Sequence, residues 1–220
     1  KGGLATQGHM YQRFVFPIYN SDSQIHGFSG RDMVNSENRP KWKHMGIKSK
    51  WVYPLYVPHD NTNPVLDAIE DAGEVILVES IGDLLNLHQN GFKNALATFG
   101  LDVSPSLICS LISLAPKKIV ISLNNDQDQE DNRGLNSSIK NYLKLISHFD
   151  SESISICLPV KNDFGDMSDS DFKDWEEKKS SICIEKQRLK IYNNALSLIN
   201  DNKLPKSFSS KVKKLKKIML

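Results

Sequence analysis

The chain has 220 residues, of which 39% are hydrophobic and 25% charged, with a formal net charge of +2. That length can bury a real core as one large domain or two small ones. No apolar stretch approaches the roughly 20 residues that span a bilayer, and the first ten residues hold no apolar block of the signal-peptide kind, so no membrane association is expected.

An opening Lys1 in place of Met points to a fragment or a processed product. The cysteines Cys109, Cys157 and Cys183 lie far apart with no zinc spacing, which predicts free, mostly buried thiols in a reducing compartment. Charge is uneven. Residues 1–58 carry Lys1, Arg13, Arg31, Arg39, Lys41, Lys43, Lys48 and Lys50 against only Asp22, Asp32 and Glu37. Residues 60–135 are acidic, and the chain from Lys203 onward is lysine-rich without an acid. A basic front and tail around an acidic middle suit a polyanion-gripping protein that holds metal at its centre.

In chain order, Arg13–Tyr19 reads as a strand, residues 20–23 as a turn, and Gln24–Arg31 as the returning strand of a hairpin. Residues 34–50 read as polar and irregular, and Trp51–Val57 as a further short strand. Pro64–Ala72 reads as a helix with Asn61 or Asn63 near its start. From Glu74 the rhythm becomes strand, helix, strand, helix. Strands are predicted at 75–79, 95–99, 118–123 and 153–158, and helices at 81–90, from Pro105, and at 132–148. Ser104 and Pro105 supply an N-cap and a first-turn proline, and Gly91 a helix stop. Beyond Pro159 the chain reads as helical, near 169–179 and 185–200 and in the Lys-rich end. This alternation predicts an α/β fold with a parallel sheet flanked by helices on both faces.

Three segments carry the chemistry. Val75-Ile76-Leu77-Val78 runs into Glu79, with Gly82 and Asp83 following. Ile119-Val120-Ile121-Ser122-Leu123 runs into Asn124, Asp126 and Asp128. Lys161-Asn162-Asp163-Phe164-Gly165-Asp166 follows the last predicted strand. A lone acid at a strand end is ordinarily a solvated loop residue, and Asp-Gly pairs make cheap turns. Three strands delivering acids to the carboxyl edge of one parallel sheet instead describe a binding edge, and hard oxygen donors suit divalent cations. Gln129 stands where an EF-hand loop needs glycine, so that reading fails.

The order "apolar run–Glu79–x–x–Gly82–Asp83", then "apolar run–Asn124-Asn125-Asp126", resembles the Toprim domain of bacterial-type primases, topoisomerases and some nucleases. Arg13-Phe14-Val15-Phe16-Pro17-Ile18, Ile25-His26-Gly27-Phe28-Ser29-Gly30-Arg31 and Arg39-Pro40-Lys41-Trp42-Lys43-His44 resemble the segment before Toprim in bacterial and phage primases of the DnaG type. Gly91–Gly100 and the 161–166 motif resemble later parts of that family, so the likeness spans roughly residues 4–180.

The resemblance implies a small N-terminal mixed α/β subdomain (1–72), a central Toprim sheet (73–166) and a C-terminal helical subdomain (167–220). It implies Glu79, Asp83 and Asp126 as catalytic acids. Two or more Mg²⁺ or Mn²⁺ ions would be held by Glu79, Asp83, Asn124, Asp126, Asp128, Asp163 and Asp166. It implies nucleotide or nucleic-acid contacts from Arg13, Arg31, Lys41, Trp42, Lys48 and Lys50. The implied activity is RNA primer synthesis from ribonucleoside triphosphates on single-stranded DNA, in the cytoplasm of a bacterium or a phage-infected cell. The C-terminal helices would serve as a replicative-helicase contact. Asn124 departs from the family's usual Asp and removes one negative charge. The alternatives are another Toprim enzyme, a nuclease or topoisomerase, or a non-catalytic nucleic-acid-binding replication module.

Overall fold

In the computed structural model, which describes residues 2–35, 37–58, 62–126 and 131–219, two four-stranded sheets face one another across a shared core. The first is antiparallel, in the order β1 (Gly3–Leu4), β2 (Arg13–Tyr19), β3 (Ile25–Asp32), β4 (Trp42–Gly46). The β2–β3 hairpin is the expected one. Strand β4 corrects the reading of 34–50 as irregular, since Trp42–Gly46 pairs with Gly27–Arg31. Its period of two was hidden by polar residues: Trp42 and His44 turn inward, while Lys43 sits between them.

Trp51–Val57 is not a strand. It makes a single bridge, Tyr53 to Ala97. Pro54 lacks the N–H a ladder needs, and Trp51, Val52 and Leu55 are instead plugged into the core at 2%, 3% and 6% exposure. The Trp51 ring lies against Gly27 and Gly46, where a methyl group on either glycine would overlap it. Those two glycines let the first sheet close over the second.

The second sheet is parallel, in the order β6 (Ala95–Ala97), β5 (Glu74–Val78), β7 (Lys118–Ile121), β8 (Ile154–Ile156). Alternation along its strands feeds two cores. Val75, Leu77, Ile119 and Ile121 face one side, against α1 (Pro64–Ala72), α3 (Pro105–Leu114), α4 (Arg133–Leu145), α6 (Ile184–Asn200) and α7 (Ser209–Met219). Ile76, Val78 and Val120 face the other, against α2 (Ile81–Gln89), α5 (Asp169–Ser180), Trp51 and, through Ile18, the first sheet. Helices on both faces match the expected α/β class. Each fully buried Val, Ile or Leu contributes about 1.5–3 kcal/mol, and Val75 to Val78 are all at 0% exposure.

Caps set the helix starts. Asn63 accepts from the Val65 N–H, and Ser104 from that of Leu107; Asn61 lies outside the described residues. The thiols are free, but only Cys157 is buried; Cys109 and Cys183 are exposed, contrary to the mostly buried expectation. Among the described residues no helix is long and apolar enough to cross a membrane.

Candidate active site

Strand β5 ends at Val78, and Glu79 stands at the carboxyl edge of the sheet. Its carboxyl is pushed up to about 7, first by burial and then by the charges of Asp83 and Asp126, against the pull of Arg133 and the Asn124 backbone. Asp83 is 4% exposed and is also shifted upward, by burial first, with Asp163 adding to it and hydrogen bonds from Ser80 opposing. The three acid-bearing segments therefore converge at one rim: Glu79 feels Asp83 and Asp126, and Asp83 feels Asp163.

Each acid is also tied into its own turn. Asp83 Oδ2 accepts from the Ser80 backbone N–H at 3.0 Å and hydroxyl at 2.7 Å, as the third residue of the capping box that opens α2. An Asp126 carboxylate oxygen accepts from the Gly134 N–H at 3.1 Å, at the start of α4. Asp163 accepts from the Asp166 N–H at 3.0 Å, and Asp166 itself is exposed. Among the described residues no three acids already stand as a cation cage. Asn124 Oδ1 is buried without a hydrogen-bond partner, a spare oxygen at this rim. Asp128 lies outside the described residues.

Opposite the acids stands the inner face of the first sheet. The cross-strand row Phe14, Arg31, Trp42 lines a cleft of about 600 Å³ whose other wall includes Ser80, Asp83 and Asp163. Arg31 lies over the Trp42 ring at 5.6 Å, and Lys41 lines the same cleft. Lys48 sits beside Glu79 in an adjoining recess and donates to the Phe99 carbonyl at 3.1 Å. Lys50 is exposed and lines neither space.

Arg13 is a correction. Its side chain is 3% exposed, Nη1 donates to the carbonyls of Pro40 at 2.9 Å and Gly30 at 3.2 Å, and it pairs with the equally buried Asp32 at 3.8 Å. A guanidinium occupied in this way holds the sheet edge together and does not reach a phosphate. Sequence reasoning also missed Ser29 and His44. Both follow inward-facing neighbours by the strand period of two, so the signal was present once β4 was recognised.

An acid-edged parallel sheet roofed by an aromatic and basic antiparallel sheet defines a fold shared with solved primase catalytic cores. A structure of the DnaG catalytic core superposes with a TM-score of 0.61 at 16% identity, covering 96% of this chain and 70% of that one. The zinc-binding and RNA polymerase domains of the Aquifex aeolicus primase give 0.59 at 21% identity, over 89% of this chain and 46% of that one. A DnaG catalytic domain bound to single-stranded DNA gives 0.58 at 18% identity, over 97% of this chain and 71% of that one.

In sequence the chain is similar to bacterial DNA primases. It is 31% identical to the DNA primase of Helicobacter pylori over 137 residues, 60% of this chain and 22% of that protein. It is 27% identical to that of Borreliella burgdorferi over 168 residues, 71% of this chain and 27% of that protein. The match thus spans about a quarter or less of these relatives. No family model matches the chain.

Proposed function

We propose that this chain is the catalytic part of a DNA primase, joining ribonucleotides into short RNA primers on a single-stranded DNA template. The observation that carries this reading is the meeting of Asp83 and Asp163 with the Arg31–Trp42 row across one cleft, beside Glu79, whose carboxyl feels Asp83 and Asp126, in a segment homologous to primases. Residues 1–72 then form the template- and nucleotide-gripping part, 73–166 the Toprim unit and 167–220 the helical segment. The divergent motifs, Asn124 among them, suit a phage-type enzyme, acting in the cytoplasm of a bacterium or an infected cell.

The donor set fits Mg²⁺ or Mn²⁺: it is all oxygen, mutually repelling, and includes the unpartnered Asn124 Oδ1. Glu79, Asp83, Asn124 and Asp126 would hold the ions, with Asp163 and Asp166 on the approach. Divalent ions bound there supply charge neutralisation at both attacking and leaving oxygens. An ion bound there would keep Glu79 ionised, so that its carboxylate can take a proton from a sugar hydroxyl. Arg31 and Lys41 neutralise phosphates, and Trp42 offers a base a stacking face. Exposed Leu189, Leu196 and Ile218 on α6 and α7 would give a replicative helicase its contact.

The test is divalent-metal-dependent synthesis of oligoribonucleotides on single-stranded DNA by the wild-type chain and by Asp126→Asn with Glu79→Gln. The expected result is synthesis by wild type and a loss of at least about 10²-fold in the double variant, with template binding kept. Wild-type rates in the double variant would remove the site assignment. Strand cleavage in place of synthesis would favour a Toprim nuclease.

A further inference from the structure

A second inward row, Phe16, Ser29 and His44, runs across β2, β3 and β4 beside the Arg31–Trp42 row. Ser29 is fully buried. Its Oγ has no hydrogen-bond partner, and neither has the buried Nδ1 of His44. A buried polar atom left unpaired costs about 1–3 kcal/mol, and here two belong to directly opposed residues, whose Cβ atoms lie roughly 4.5–5.5 Å apart. Both residues line a recess of about 210 Å³ between the first sheet and the Glu79–Ile81 turn. Trp42 and Ser80 line this recess and the larger cleft alike, so the one opens off the other.

The recess has the chemistry of a sugar site. Trp42 and Phe99 supply aromatic walls, while Lys48 and Glu79 place one cation and one acid beside it. That balance suits a neutral polyol better than a phosphate. Ser29 and His44, opposed on neighbouring strands, offer two polar atoms for two vicinal hydroxyls.

We infer that this recess reads the ribose of a bound nucleotide: Ser29 Oγ and His44 Nδ1 hydrogen-bond its 2′- and 3′-hydroxyls and so select ribo- over deoxyribonucleotides. The inference rests on the nucleotide-binding part of the proposed function and names the residues that set its sugar specificity. A site built to hydrogen-bond a hydroxyl rejects the analogue that lacks it, because its own polar atoms then stay unpaired.

Equilibrium binding of ATP, 2′-deoxy-ATP and 3′-deoxy-ATP, each with Mg²⁺, is measured by tryptophan fluorescence on wild type, Ser29→Ala and His44→Phe. Wild type should bind ATP at least about tenfold more tightly than either analogue. Each variant should weaken ATP and the one analogue that keeps the hydroxyl it reads, and so close the gap between ATP and the other analogue. Ser29→Ala removes one oxygen from the chain, so it carries the test if His44→Phe fails to fold. Equal binding of all three nucleotides by wild type, or both gaps surviving Ser29→Ala, overturns the inference. So does a variant that weakens all three alike.

Primer synthesis on the same proteins separates the two readings. An ATP preference that Ser29→Ala abolishes, in a protein that makes no primer, retains the sugar site and ends the primase reading. Synthesis that accepts ribo- and deoxyribonucleotides equally does the reverse.

Discussion

Burial among acids favours the protonated form of Glu79, and a cation bound there would have to displace that proton. Its carboxyl rises in the fold from an ordinary 4.5 to about 7, so between those values the folded state binds more protons than the unfolded one. Its contribution to stability is therefore fully present below about 4.5 and is lost as pH rises through 7. Asp83 shifts in the same direction. His44 and His88, both lowered mainly by burial, act in the opposite sense around 6.5, so wild type is best read against Glu79→Gln. The melting temperature of the variant minus that of wild type should grow from pH 5.5 to pH 8 without metal, and Mg²⁺ should shrink that difference at pH 8. A difference that stays constant with pH would mean that Glu79 is not buried among acids. Arg13 makes the complementary case. Its side chain is 3% exposed, donates to the Gly30 and Pro40 carbonyls and shares Asp32 with Arg39, which lies closer to that acid at 3.1 Å. Arg13→Met removes those buried bonds and should lower stability by about 1–3 kcal/mol in a denaturant titration. A neutral Arg13→Met would return Arg13 to the surface and to phosphate duty.

At the scale of elements, the rim depends on how closely α4 approaches the loop after β7. Gly134 lies in the first turn of α4, and a methyl group there would run into the Asn124 backbone carbonyl. Backbone cannot swing aside as a flexible side chain can. Gly134→Ala should therefore cost about 1–3 kcal/mol through overpacking and should push the Asn124–Asp126 segment off the rim. The check is a lower melting temperature together with a reduced Mg²⁺-induced stabilisation; an unchanged Mg²⁺ response would show that the segment does not hold the ion. The elements themselves were largely legible, because their signals are local. Asn63 and Ser104 announce helices, and the Val75–Val78 and Ile119–Ile121 runs announce buried parallel strands. Strand β4 was not legible, since lysine and histidine interrupt its alternation and its partner is supplied by the fold. Trp51–Val57 read as a strand because burial of Trp51, Val52 and Leu55 gives the same apolar run as a ladder does.

The whole molecule adds what no segment contains, the apposition of two sheets. The acids of the rim could be read from the sequence, because each follows an apolar strand. The unpaired Ser29 and His44, and the internal duty of Arg13, could not, because they arise only when β2, β3 and β4 are in register. The same apposition decides which of the chain's many cations meet a polyanion. The cleft opens on the face of the parallel sheet that carries α2, where Arg31 and Lys41 line it. Helix α7 packs through Val212 and Leu215 against the core of the other face, so Lys213, Lys216 and Lys217 point away from that cleft's side of the molecule. Binding of a short single-stranded oligonucleotide should therefore weaken with salt in a way set by the cleft. On a single strand each lost phosphate contact lowers the log–log salt slope by about 0.7. Arg31→Ala with Lys41→Ala should reduce the slope by about 1.4 on that rule, while Lys213→Ala, Lys216→Ala and Lys217→Ala together should leave it unchanged. Equal losses in both sets would mean that the strand is held by diffuse positive charge. The cleft between the sheets would then be no template path, however well its walls fit one.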